Sequence, residues 1–242
     1  MTRECVVAHS SDLHIEDEYM GRRYQSDPTA ALTSVLKAAE RHRADVVVLA
    51  GDTFDSHRIP GAVLDRAARI IAGVGLPLVL LPGNHDPLIA GSVYSSRALA
   101  DCANLHIVGD TDDERVLLPD FDLEIWGRPH RDYADMIPFE RPRPRCTRWQ
   151  IAVAHGHYEP KPDRAARLRP SWLIGDAELA ATGADYIALG HWNRAVQVGP
   201  AAYYSGSPEY AATLNLVRLC ASGQVQVTRA ELGSPPRRGS AA

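Results

Sequence analysis

Apolar residues fall along this chain in two rhythms. Short unbroken apolar runs occupy residues 5–8, 46–50 and 77–81, the pattern of strands buried on both faces. Between them the spacing turns helical. Residues 28–40 place Ala31, Leu32, Val35, Leu36 and Ala39 on one face, with Asp27 as cap and Pro28 at the first position. Residues 60–72 repeat the pattern with Val63, Leu64, Ala67, Ile70 and Ile71, and residues 92–100 read as a further short helix. A β-α-β-α-β order predicts an α/β fold whose parallel strands are joined by helical crossovers.

The second half is richer in strands. They are expected at 105–108, 116–118, 123–126, 151–154, 186–189, 195–198, 202–204, 213–219 and 224–228, with a helix near 176–181. Two stretches, 128–148 and 159–169, are rich in Pro and Arg and read as loops. Residues 233–242 lack apolar periodicity and are expected to be disordered. With no repeat and no linker, residues 1–232 are expected to form one domain: two packed sheets with helices outside.

Composition changes this picture little. The 242 residues are 45% hydrophobic and 23% charged, with a formal net charge of −4, ordinary for a globular protein with a sizeable core. A broadly basic nucleic-acid coat is excluded, although a local basic patch is not. Only Lys37 and Lys161 are lysines among 26 basic residues; the arginines fit either codon usage or bidentate phosphate binding. Four scattered cysteines form no metal or redox motif. No leader is evident and no run nears the ~18 apolar residues of a membrane span, so a cytoplasmic protein with no membrane partner is expected.

The chemistry lies at the strand ends. The first run leads into Asp12 and His14, the second into Gly51, Asp52 and Asp55, and the third into Gly83-Asn84-His85-Asp86. The runs at 151–154 and 186–189 lead into His155-Gly156-His157 and Gly190-His191-Trp192-Asn193. In open α/β sheets, ligands bind beyond the carboxyl ends of the strands. The pattern therefore delivers five clusters to one edge of one sheet. A single Asp or His after a strand is ordinary turn chemistry; five in order are not.

This set resembles the calcineurin-like metallophosphoesterase superfamily, whose motifs run D-x-H, G-D-x-x-D, G-N-H-D, a His after a strand, then G-H-x-H. Within it, residues 45–58 (DVVVLAGDTFDSHR), 81–86 (LPGNHD), 185–191 (DYIALGH) and 204–208 (YSGSP) are most similar to SbcD-type DNA-repair exonuclease subunits. The resemblance implies a four-layer α/β/β/α sandwich of two mixed sheets with flanking helices. It also implies a phosphoesterase working by in-line attack of a dimetal-bridging hydroxide. Carboxylate, imidazole and amide ligands suit first-row dications, and Asp52 is assigned as the bridge. One metal would take Asp12, His14, Asp52 and Asn193; the other would take Asp52, Asn84, His155 and His191.

The resemblance also makes His85 a catalytic group facing the phosphate, with Asp52, rather than a ligand. Asp55 or Asp86 could orient His85, or both could merely stabilise turns. His157 and Arg194 are candidate substrate contacts, and Trp192 either stacks on a base or packs beneath the metals. His9 reads as core; His57 and His130 follow strand ends and receive no role. The last motif departs from the family, with Asn193 replacing its final His. An amide oxygen tilts that site toward harder ions, so two Mn²⁺ are expected, with Mg²⁺, Fe²⁺ or Zn²⁺ as alternatives.

The ligands recognise a phosphate, not a leaving group. A phosphodiesterase or nuclease-like enzyme is favoured. A small-molecule phosphatase or nucleotide phosphodiesterase, and a catalytically weak metal- or nucleic-acid-binding module, stay open. Nucleic acid is thus one possible partner beside a small phosphoester. Lys161, Arg164, Arg167 and Arg169 form a possible phosphate clamp in the 159–169 loop, which is placed on the site side. The stretch 141–148 is placed farther away. The sequence shows no recognisable segment for docking an ATPase partner.

Overall fold

The computed structural model describes residues 4–16, 27–166 and 170–233. Two six-stranded mixed sheets stack face to face. The first has strands β1 (Cys5–Ser10), β2 (Val46–Ala50), β3 (Leu78–Leu81), β4 (Leu105–Ile107), β13 (Thr213–Leu219) and β14 (Val225–Glu231). Their order is β14-β13-β1-β2-β3-β4, parallel from β1 to β4, with β13 and β14 added antiparallel. The second sheet has β5 (Arg115–Leu118), β6 (Leu123–Gly127), β7 (Trp149–His155), β10 (Tyr186–Gly190), β11 (Val196–Gln197) and β12 (Ala202–Tyr204). It runs β11-β12-β10-β7-β6-β5, with a parallel centre and antiparallel edges. A small parallel pair, β8 (His157–Tyr158) and β9 (Leu173–Ile174), stands apart.

Three apolar layers hold these elements together. The central layer joins the sheets, with Val7, Val48, Ala50 and Leu81 meeting Ile125, Ile151, Val153 and Ala188. Helices α1 (Ala30–Arg41) and α2 (Gly61–Ala72) cover the outer face of the first sheet through Leu32, Val35, Leu36, Leu64, Ala67 and Ile71. The third layer covers the second sheet with Leu179 of helix α4 (Asp176–Ala181), Phe139 and Ile174. The architecture is the expected α/β/β/α sandwich, although one short helix and loops make up its fourth layer. Burying apolar area at roughly 25 cal/mol per Å² on both faces of each central strand is the main source of stability.

The structure corrects several local expectations. The helix expected from residue 28 starts at Ala30, because Asp27 Oδ1 accepts hydrogen bonds from the Thr29 amide and hydroxyl, holding a turn that precedes the helix. Pro60 precedes α2 instead of opening it. The helix expected at 92–100 is broken: Ser96 is extended, separating a 3₁₀ turn (Val93–Ser95) from helix α3 (Arg97–Ala100). Only Val196–Gln197 of the run at 195–198 is a strand. The pair β8–β9 and the four-residue helix α5 (Pro208–Ala211) have too few residues for a periodic signal. Three cysteines are buried and Cys146 is exposed. Residues 234–242 of the expected tail lie outside the described residues.

Candidate metal centre

The site forms where the carboxyl ends of two sheets converge. The expectation of one edge of one sheet is therefore wrong in an informative way. Strands β1, β2 and β3 bring Asp12, His14, Asp52, Asn84 and His85 from the first sheet; β7 and β10 bring His155 and His191 from the second. A shared apolar layer alone places the two strand ends together, and periodicity within one strand cannot report which sheet it joins.

The turns are strained where they present ligand-type side chains. Asp12, His14, Asp52 and His191 all have positive φ, at 55°, 46°, 50° and 102°, a region costly for residues with a Cβ. Backbone hydrogen bonds hold them there: Asp12 N to Gly51 O at 3.0 Å and His14 N to Asp52 O at 3.1 Å. Gly51 has φ 90°, and a side-chain carbon there would collide with the His155 ring. The glycine thus permits both the turn and the approach of the second sheet.

Asp52 is the centre of the arrangement. It is buried and takes part in two groups of potential ligand atoms lying within 4.8 Å of one another: Asp12, Asp52 and His155; and His14, Asp52 and His85. Its Oδ1 accepts the His85 amide at 2.9 Å, and Oδ2 lies 3.0 Å from His155 Nε2. Burial opposes its ionisation, but the imidazoles, His155 foremost, hold its carboxyl well below the usual range. Burial raises Asp12 and outweighs the opposing pull of His155.

His155 is fully buried, and its Nδ1 lies 2.8 Å from Ala50 O. That bond puts a proton on Nδ1 and points Nε2 at Asp52. Although close to the carboxylate, Nε2 lacks a well-formed hydrogen bond, and buried Asn84 Oδ1 also has no partner. Burial lowers the His155 pKa, but the Asp52 charge overcomes it and lifts the value to about 9. The His191 amide donates to Asp12 Oδ2 at 3.0 Å, and its ring lies 5.3 Å from that of His155. Burial pushes His191 down to about 3.

The opposite side is more open. Asp55 Oδ1 lies 3.2 Å from His14 Nδ1 and 3.5 Å from His85 Nδ1, while the Asp55 main-chain oxygen lies 3.1 Å from His85 Nδ1. The Asp55 side chain raises His85 to about 9 against partial burial. Asp86 acts elsewhere. Its oxygens accept the Gly83 amide at 2.7 Å, the Phe54 amide at 2.9 Å and the Tyr94 hydroxyl at 2.7 Å, pinning the backbone that carries Asn84. Burial and then the Asp52 charge push Asp86 up to about 7.

Other named residues divide clearly. Trp192 stacks on Tyr204 at 4.4 Å, and its Nε1 donates to His157 Nδ1 at 3.1 Å, so this indole supports His157. Asn193 and Arg194 lie exposed after β10. Arg164 pairs with Glu178 and the Leu173 carbonyl, so its clamp reading is replaced by a link to α4; Arg167 and Arg169 lie outside the described residues. Buried His9 pairs with the Tyr186 hydroxyl at 2.8 Å, and burial lowers it to about 3.

Sequence reasoning missed three contributors. His130 Nε2 lies 2.9 Å from His155 O, its ring sits between those of His155 and Trp172, and burial keeps it neutral with a pKa of about 4. Trp172 and Tyr133 join His57, Asp55, Asn84 and His85 around a cleft of about 550 Å³. The sequence shows His130 following the end of β6, but not its contact with His155. Trp172 and Tyr133 sit in loops, where no periodicity exists.

Residues 5–195 match the sequence profile of the calcineurin-like phosphoesterases. The chain belongs to this family. It is 26% identical over 246 residues to the SbcD subunit of the SbcCD nuclease of Escherichia coli (strain K12), a match covering 84% of this chain and 60% of that protein. The corresponding SbcCD nuclease subunit of Bacillus subtilis (strain 168) is 25% identical over 254 residues, covering 84% and 61%. The chain thus spans about 60% of the length of these relatives. Among solved structures, TT1561 of Thermus thermophilus superposes with a TM-score of 0.59 at 12% identity, covering 96% of this chain and all of that one. The family implies a dinuclear divalent metal site and, with the nuclease relatives, supports a hydrolase acting on phosphoester bonds. Among the described residues, no helix is long and apolar enough to cross a membrane.

Proposed function

We propose that this calcineurin-like phosphoesterase is a phosphodiesterase or nuclease-like enzyme with two divalent ions sharing Asp52. The observation carrying this reading is the place of Asp52 in both clusters of potential ligand atoms, with His155 Nε2 3.0 Å from its carboxylate and the buried Asn84 Oδ1 left without a partner. The donor set fits: carboxylate and amide oxygens with imidazole nitrogens suit first-row dications, manganese foremost. Asp12, His14, Asp52 and Asn193 would hold one ion; Asp52, Asn84, His155 and His191 would hold the other. Such a pair supplies Lewis acidity and activates water for in-line displacement at phosphorus.

The remaining work falls to the chain. The main-chain oxygen of Asp55 fixes His85 through Nδ1, so the ring is held at the cleft wall beside the phosphate. There it stabilises charge and protonates the leaving oxygen. His157, steadied by Trp192, and exposed Arg194 flank the substrate. Membership of the nuclease relatives in the same family favours a nucleic-acid strand as substrate.

Hydrolysis of bis-p-nitrophenyl phosphate with Mn²⁺ tests the reading. Turnover that disappears in Asp52→Asn is expected; absence of turnover in the native chain would refute it. Parallel assays with single-stranded DNA and mononucleotide esters separate the substrate classes. Cleavage of the esters alone would replace the nuclease reading with a nucleotide phosphodiesterase.

A further inference from the structure

A second cavity lies on the outer face of the second sheet, beside the metal cleft. It encloses about 200 Å³ and is lined by Trp126, Arg128, Arg131, Arg141 and Arg143, with Glu114 and Glu140 at its walls. Four guanidinium groups against two carboxylates leave an excess of two positive charges. The carboxylates are already engaged: Glu140 accepts from Arg128 at 2.8 Å, and Glu114 accepts from Arg143 at 3.1 Å. Arg141 has no partner among the described residues. Each guanidinium carries five donors, so most of the hydrogen-bonding capacity is unspent.

An independent observation points to a ligand. Trp126 is almost fully buried, with its ring against Phe139, yet its indole Nε1 has no acceptor. Native proteins leave few buried donors unmatched. The cavity therefore combines surplus donors, fixed positive charge and spent acceptors. That chemistry suits a phosphate, which offers several acceptor oxygens to arginine forks.

Its position relates it to the metal centre. A single segment lines both cavities, with Arg128 and Arg131 in this one and Tyr133 in the metal cleft. In the same segment, His130 is bonded to the carbonyl of His155, a residue of the metal centre. Arg131 and Tyr133 are two residues apart, which limits their Cα separation to about 7 Å. We propose that the arginine cavity binds a non-scissile phosphate of an extended phosphodiester substrate whose scissile bond lies at the metal centre. This rests on the phosphodiesterase reading above.

The test is calorimetric titration of the full chain, stripped of metal with EDTA, at low ionic strength. The probes are the tetranucleotide dT4 and inorganic phosphate. Native protein is expected to bind dT4 without metal, and Arg141→Ala to weaken binding about tenfold. Trp126→Phe, which keeps an aromatic ring and removes the N–H, should also weaken it. Phosphate should bind more weakly than dT4 and lose affinity in the same variants. No dT4 binding by native protein, or equal affinity in both variants, would overturn the proposal. Phosphate binding as tight as dT4 would also overturn it, leaving a site for free anions. The readout needs no turnover, so failure of the hydrolysis assay and failure of this titration are distinct results.

Discussion

The two clusters that share Asp52, one with Asp12 and His155 and one with His14 and His85, differ in their surroundings. Asp12 and His155 are buried, and His155 is held by a main-chain carbonyl from the other sheet. His14 and His85 are part-exposed, and both lean on one carboxylate, Asp55. The buried side is fixed by sheet packing and has atoms that lack partners; the open side is fixed by one polar side chain and faces the cleft. On the proposed reading, the buried cluster favours retention of an ion, while the open cluster carries His85, the group assigned to proton transfer.

Substitutions can break or sharpen that contrast. Asp52→Asn touches both sides and should reduce Mn²⁺-dependent hydrolysis to background, measured with bis-p-nitrophenyl phosphate. His85→Ala removes only the rim group, so kcat should fall about 10²–10⁴-fold while metal content is retained; loss of metal would make His85 a ligand. Asp55→Asn leaves both rings present but less firmly oriented. A fall of about 10–100-fold in activity is expected, with the metal affinity of the His14 side reduced and that of the His155 side unchanged. Trp192→Phe deletes one hydrogen bond to His157, worth about 1 kcal/mol. It should therefore raise KM by no more than about fivefold, with kcat preserved.

The same contrast explains what the sequence discloses. Strand runs such as Val46–Ala50 end abruptly in Gly-Asp or Gly-Asn, so the ligand clusters and the layered α/β fold are legible from pattern and motif alone. Asp55 and Asp86 look alike in sequence, each a turn aspartate after a glycine. Only the fold shows that one contacts two imidazoles and the other grips the backbone under Asn84. Assigning β7 and β10 to a second sheet, and recognising Trp172, His130 and the arginine cavity, require contacts between segments far apart in the chain. Local periodicity carries no trace of such contacts. The positive φ at Asp12, His14, Asp52 and His191 is hidden for the same reason, since nothing in the local pattern marks these positions as left-handed.

The most direct test of Asp52 as a shared ligand is the number of ions the stripped chain takes up. Calorimetric titration with Mn²⁺ should fill two sites per native chain and neither normally in Asp52→Asn. One ion per native chain, or two undiminished sites in Asp52→Asn, would contradict the shared-carboxylate centre.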